Sequence, residues 1–168
     1  MTRLIFLDFE ASSMSPDSWP IEVGAAWIEA DGTIASGGHL IRPDPAWPLD
    51  DWSEVSADVH GMALADLEDA PSALDVALWV RDTAAGGALV SDAPNYDWLW
   101  LDRLMEVAEL GAPQIHGFHD LAKRAFDMAG LRALRDALSL VPSPHRAETD
   151  ARRLAAAWRA AEKASGRG

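Results

Sequence analysis

Two carboxylates, Asp8 and Glu10, stand where a buried strand should be apolar. Leu4 to Phe9 is otherwise a short apolar run, as expected of a central strand covered on both faces. Strand side chains alternate with period two, so Asp8 and Glu10 share a face and Phe9 points the other way. Two acids on one face repel each other and lose hydration. Either the strand ends at Leu7 and both acids are solvated loop residues, or something compensates their charge.

Asp97 and Asp150 raise the same question on helices. Downstream of Asp97 an apolar stripe runs Trp100, Leu101, Leu104, Val107 and Ala108, and Asp97 lies on it. It is either a first-turn acid favoured by the helix dipole or an acid aimed inward. In the last helical segment, Ala147, Ala151, Leu154, Ala155, Trp158 and Ala161 share a face, with Asp150 on its core side. If the helix begins near Pro144, Asp150 lies too deep for the dipole to explain it. If it begins near Arg146, the dipole still suffices. His145 precedes Asp150 by five residues, which is not a same-face spacing. That offset suits a His on the approach to the helix, although a lone His after Pro also reads as a surface residue.

Clustered carboxylates demand cations. The chain has no cysteine, so the ligands on offer are oxygens, and the hard ions Mg²⁺ or Mn²⁺ suit them. Two such ions ~3.5–4 Å apart support in-line displacement at a phosphodiester. A His at the mouth of such a site can take the proton from an attacking water.

These residues need a scaffold. Ile21 to Ile28 reads as a second strand, Asp31-Gly32 as a hairpin turn, and Thr33 to Ile41 as the returning strand, ended by Pro43 and Pro45. Residues 43–70 are loop-rich, with a short helix near Trp52–Val59. A helix is expected over 71–84, with Pro71 near its first turn. A short strand follows at Ala88–Ser91, then a helix capped by Asn95 and running to about Leu110. Gln114–Gly117 is a last short strand, and the rest is helical to about Lys163. A three-strand meander followed by alternating helices and strands predicts a mixed α/β sheet with helices packed on it. At 168 residues one domain, 1–168, is expected, burying about 70% of its unfolded surface.

Charge narrows the partners. The net charge is −13, but residues 1–120 carry 22 acids and 4 bases while residues 121–168 carry 5 acids and 10 bases. An acidic surface repels phosphate backbones, so on charge alone the chain reads as a poor nucleic-acid binder. No run approaches the ~20 apolar residues of a membrane span. Asp8 comes too early for a signal-peptide apolar region, so a soluble cytoplasmic protein is expected.

At these residues the sequence resembles the DEDDh 3′→5′ exonucleases of the ribonuclease-H-like fold, a family that includes ribonuclease T, oligoribonuclease and polymerase proofreading subunits. Leu7-Asp8-Phe9-Glu10-Ala11-Ser12 resembles the family's Asp-x-Glu strand, and Pro20-Ile21-Glu22-Val23-Gly24-Ala25-Ala26 the strand after it. Val59-His60-Gly61-Met62 resembles a His-Gly-hydrophobic element under the terminal base, and Asn95-Tyr96-Asp97 with Leu101 the second acid motif. His145-Arg146-Ala147-Glu148-Thr149-Asp150-Ala151 is similar to the His-x4-Asp motif.

The resemblance covers roughly residues 4–160 and implies a five-stranded mixed sheet. It also implies hydrolysis of single-stranded 3′ ends of RNA or DNA to nucleoside 5′-monophosphates with two divalent ions. By similarity, Asp8, Glu10 and Asp150 hold the metals, Asp97 completes the shell through water, and His145 is the general base. The backbone near Ala11 and Ser12, the His60-Gly61 element and the Met62 side chain would contact the 3′-terminal nucleotide. Several relatives are homodimers.

Two departures stand out. Asp92 and Ala93 occupy the positions of a frequent His-Asn pair, and Ala11-Ser12-Ser13 replaces a frequent Thr-Thr-Gly. Two other readings stay open: an oligoribonuclease-like trimmer of very short RNAs, and a non-catalytic binding module on the same fold. Trp19, Trp47 and Trp52 could stack on bases, seal a dimer or pack in the core. Lys123-Arg124 and Arg152-Arg153 either track phosphates or form solvated faces.

Overall fold

A computed structural model describes residues 2–166. Strand β1 (Arg3–Ala11) runs past Leu7, so Asp8 and Glu10 belong to the sheet. It pairs antiparallel with β2 (Pro20–Ile28), placing Asp8 opposite Gly24 and Glu10 opposite Glu22. β2 pairs antiparallel with β3 (Ile34–Leu40), completing the expected meander. On the other side β1 pairs in parallel with β4 (Gly87–Ser91), and β4 with β5 (Ile115–Gly117), in the order β3-β2-β1-β4-β5.

The β1–β4 ladder stops at Phe6–Val90. From there β1 leads towards β2 on one side and β4 leads away on the other. In open α/β sheets the crevice beyond the carboxyl ends of such diverging parallel strands is where sites form.

The pleat of β1 divides the core. Ile5, Leu7 and Phe9 pack with Val76 and Val80 of α2 (Ala73–Ala84) and Leu101 and Leu104 of α3 (Pro94–Glu106). Phe6 points to the opposite face, where it joins Phe118, Leu154 and Trp158. That face is covered by α4 (Phe118–Ala125), α5 (Met128–Leu140) and α6 (Ala147–Ala164). Asp8 and Glu10 continue the Phe6 face, so they look towards α6.

Helix boundaries differ from expectation by their caps. Ser72 caps α2 by accepting the Asp75 N–H at 3.1 Å, which puts Pro71 before the helix. Asn95 is not the cap of α3: Pro94 takes the first helical position and Asn95 falls inside the first turn. α3 stops at Glu106, short of Leu110, and Glu109 adopts a left-handed φ of 56° in the turn that follows. The expected short helix is α1 (Glu54–His60), ended by Gly61 at φ 70°.

The tryptophans in loop regions are structural. Trp19 and Trp47 are buried and stack with ring centroids 5.9 Å apart, and Trp52 lies 6.0 Å from Trp19. This excludes Trp19 and Trp47 as base platforms or dimer seals. Among the described residues no helix is long and apolar enough to cross a membrane.

Candidate active site

α6 carries Asp150 in its first turn, four residues after the cap residue Arg146. That turn reaches the sheet because β2 and β3 are bare beneath it. A Cβ on Gly24 would lie 2.1 Å from the Glu148 nitrogen, and one on Gly38 would lie 2.9 Å from the Glu148 Cβ. The approach brings one carboxylate oxygen each of Asp8, Glu10 and Asp150 within 4.8 Å of one another.

The two oxygens of Asp150 have different surroundings. Oδ2 accepts the Ser143 hydroxyl at 2.9 Å and the Arg146 N–H at 3.2 Å, satisfying a donor at the helix start. Oδ1 is buried and has no hydrogen-bond partner. The nearest cation is Nη1 of Arg153, 3.8 Å away. A first-turn acid serving the helix alone explains Oδ2. It leaves Oδ1 unexplained, and a buried bare carboxylate oxygen is costly.

Glu22 is the support that sequence reasoning passed over. It is buried opposite Glu10 and accepts Arg146 Nη2 at 2.8 Å, Arg146 Nε at 3.1 Å and the Ala147 N–H at 3.0 Å. It thus ties the first turn of α6 to β2. The available signal was an acid inside the apolar run of β2, the same signal that marked Asp8.

Asp97 projects from the first turn of α3 and is 2% exposed. The Ser91 hydroxyl donates to its Oδ2 and also accepts the Ala93 N–H at 2.9 Å. Ser91, at the end of β4, is a second support that sequence reasoning did not find. Asp97 lies outside the three-carboxylate group but faces the same cavity.

The electrostatics follow from crowding. Burial first, then Asp97, Glu10, Asp150 and Asp92, push the Asp8 carboxyl well above the usual range. Burial, with Asp150, Glu22 and Asp97, pushes Glu10 up to about 8, against the lowering pull of Arg146. Burial and Asp92 raise Asp97 to about 7, partly offset by hydrogen bonds from Ser91 and the Phe9 amide. Without a cation this site takes up protons at neutral pH.

These residues line a cavity of about 550 Å³. Its apolar side includes Met14, Val55, Val59 and Tyr96, all exposed. Asp92 and Ala93 lie on its rim, where they bring a charge and a methyl group. His145 lines it too, on an exposed connector with φ 54°. A non-glycine residue held at positive φ is an uncommon conformation that clusters at functional sites.

The His60 ring is buried in the cavity wall, 6.0 Å from the Trp52 ring. Its Nδ1 accepts the Met62 N–H at 3.2 Å, so the neutral ring carries its proton on Nε2. Burial lowers its pKa, which keeps the ring neutral. Nε2 has no partner. Among the described residues it and Asp150 Oδ1 are the buried side-chain atoms left so, and both belong to residues of this one cavity.

Other expected contacts are placed elsewhere. Ala11 lines the cavity, but Ser12 is fully buried. The Ser12 N–H donates to the Trp19 carbonyl at 2.9 Å, its carbonyl accepts from Ser53, and its hydroxyl accepts the Trp19 N–H at 3.0 Å. Gly61 turns the chain away at the end of α1, and Met62 packs in the core at 5% exposure. Neither reaches the cavity surface. The arginines of α6 are engaged with the fold: Arg152 with the Ser36 hydroxyl at 2.9 Å and Arg159 with the Gly32 carbonyl at 3.0 Å.

No family model matches the chain, and no curated protein does. Solved structures do. E. coli Exonuclease I in complex with a dT13 oligonucleotide superposes with a TM-score of 0.71 at 11% identity, over 99% of this chain and 42% of that one. The zinc-bound E. coli enzyme with single-stranded DNA gives 0.72 at 11% identity, with the same coverage. Exonuclease I of Methylocaldum szegediense gives 0.72 at 12% identity, over 97% of this chain and 41% of that one. The chain therefore spans about two fifths of the length of these proteins. At such low identity the likeness establishes the fold, which is the ribonuclease-H-like exonuclease fold with its mixed five-stranded sheet.

Proposed function

We propose that this chain is a metal-dependent 3′→5′ exonuclease that trims single-stranded RNA or DNA ends and releases nucleoside 5′-monophosphates. One observation carries the reading. Three carboxylates distant in sequence converge within 4.8 Å, and one presents a buried oxygen that accepts no hydrogen bond, with only Arg153 Nη1 near it at 3.8 Å. An all-oxygen donor set of this kind fits Mg²⁺ or Mn²⁺. Exonuclease I structures of the same fold hold single-stranded oligonucleotides, which supports the substrate class.

Asp8, Glu10 and Asp150 would hold the ions, and Asp97, fixed by Ser91, would complete the shell through water. Once bound, two ions supply the positive charge that stabilises the attacking and leaving oxygens of an in-line displacement. His145, at the cavity mouth, takes the proton from the attacking water. The terminal base lies against Met14, Val55, Val59 and Tyr96, and the His60 ring, in the same cavity wall, backs the terminal nucleotide. The remaining acidic surface keeps the contact short, at the strand end.

The test compares 3′- and 5′-labelled oligonucleotides of RNA and of DNA with Mg²⁺ or Mn²⁺. Stepwise loss from the 3′ end is expected, abolished by D8A and reduced at least about 100-fold by H145A. Full activity in D8A and H145A would overturn the assignment. Weak or absent binding of divalent ions by calorimetry would favour a non-catalytic module.

A further inference from the structure

The two oxygens of Asp150 have different partners, and Oδ2 leads to His145. The His145 N–H donates to the Ser143 hydroxyl at 3.2 Å, and that hydroxyl donates to Asp150 Oδ2 at 2.9 Å. The Arg146 N–H reaches the same oxygen at 3.2 Å. The connector between α5 and α6 is thus fastened to the carboxylate whose other oxygen accepts no hydrogen bond. Hydrogen bonds in such a chain polarise and strengthen one another.

Arg153, one turn along α6, makes a second fastening. Its Nε donates to the Val141 carbonyl at 2.6 Å and its Nη2 to the Leu138 carbonyl at 3.4 Å. Its side chain is 18% exposed, and its remaining nitrogen, Nη1, lies 3.8 Å from Asp150 Oδ1. This cation is therefore occupied on the connector and on Asp150. An arginine that gripped a substrate phosphate would present a free fork to the cavity instead.

We propose that Ser143 and Arg153 are positioning residues that lock the α5–α6 connector, and with it His145, to Asp150. Binding at the acid cluster and placement of His145 would then be coupled through one side chain. His145 needs such a lock: it is exposed and held at φ 54°, a conformation its own backbone does not favour. The proposal rests on the exonuclease reading for its kinetic consequence but not for the coupling itself.

The experiment compares wild type with S143A, S143T and R153M. Three quantities are measured: kcat and KM, Mn²⁺ affinity by calorimetry, and amide exchange of His145 and Arg146 with and without Mn²⁺. S143A and R153M should lower kcat about 10- to 100-fold, the range for partners that orient ligands, with KM little changed. Connector amides should exchange faster in both, and Mn²⁺ should slow exchange in wild type but less in S143A. S143T, which keeps the hydroxyl, should restore slow exchange and kcat. A raised KM with unchanged kcat in R153M would make Arg153 a substrate contact and overturn its part. Unchanged exchange in S143A would overturn the lock. If wild type shows no nuclease activity, the exonuclease reading falls, while the exchange and Mn²⁺ comparisons still decide the coupling.

Discussion

Gly24 lies so close beneath Glu148 that an added Cβ would stand 2.1 Å from the Glu148 backbone nitrogen. That contact sets the height of α6 over β2, and therefore how near Asp150 comes to Asp8, which is opposite Gly24 in the β1–β2 register. G24A must lift the first turn of α6. It should cost about 1–3 kcal/mol or more by urea unfolding and weaken Mn²⁺ binding at least about tenfold. G111A is the control: Gly111 has open space around it and no positive φ, so its substitution should change neither. Equal behaviour of the two variants would refute the contact.

The Glu22–Arg146 pair should hold α6 from the other direction. E22Q keeps an oxygen for the Ala147 N–H but gives up the bidentate ion pair. Because the Arg146 side chain is about half exposed at 48%, solvent screens the pair, and the expected cost is about 1–2 kcal/mol. Loss of the Glu22 charge should also let Glu10 ionise at lower pH. A urea midpoint equal to wild type would remove Glu22 from this role.

The acid cluster predicts an unusual pH dependence of stability. Folded Glu10 titrates near 8 and folded Asp97 near 7, against ordinary carboxylate values of 4.5 and 3.8, and folded Asp8 is also raised. Between those limits the folded chain holds more protons than the unfolded one, so stability falls as pH rises. Metal-free protein should therefore melt at a higher temperature at pH 5 than at pH 8. Saturating Mg²⁺ or Mn²⁺ should flatten the difference. A metal-free melting temperature that rises from pH 5 to pH 8 would contradict the crowding.

The same protons must leave when ions bind. At pH 7, calorimetry of Mn²⁺ binding in two buffers of different ionisation heat should show net proton release. The affinity should climb through pH 7 to 8 as Glu10 and Asp97 lose their protons. Binding without proton release would mean that the raised acids are not the ligands.

Much of this site is readable in the sequence because each acid breaks a regular pattern. Asp8 and Glu10 interrupt a continuous apolar strand, and Asp150 sits on an apolar helical stripe, so burial pattern and face alone set them apart. Their supports carry weaker marks. Ser91 ends β4 as many serines end strands, and Ser143 lies in a Pro-flanked connector where polar residues are ordinary. Their partners, Asp97 and Asp150, are fixed only by the fold. Met62 shows the opposite limit. Its spacing from His60 is legible, but the left-handed turn at Gly61 directs the chain so that Met62 joins the core. Trp19 and Trp47 lie outside any long periodic segment, so nothing in their spacing announces the stacked pair they form.

The three clustered carboxylates join β1 to α6, and this gives the cluster a place in time as well as in space. A chain emerging from the ribosome can complete the five-stranded sheet after residue 117, yet it has no third carboxylate until residue 150 follows and α6 settles on Gly24. Contacts of such wide sequence separation form late, because loop closure must be achieved first. If the chain is the nuclease proposed above, it would stay silent until α6 docks on the sheet. Acquisition of chelator-sensitive activity would then mark the docking of α6.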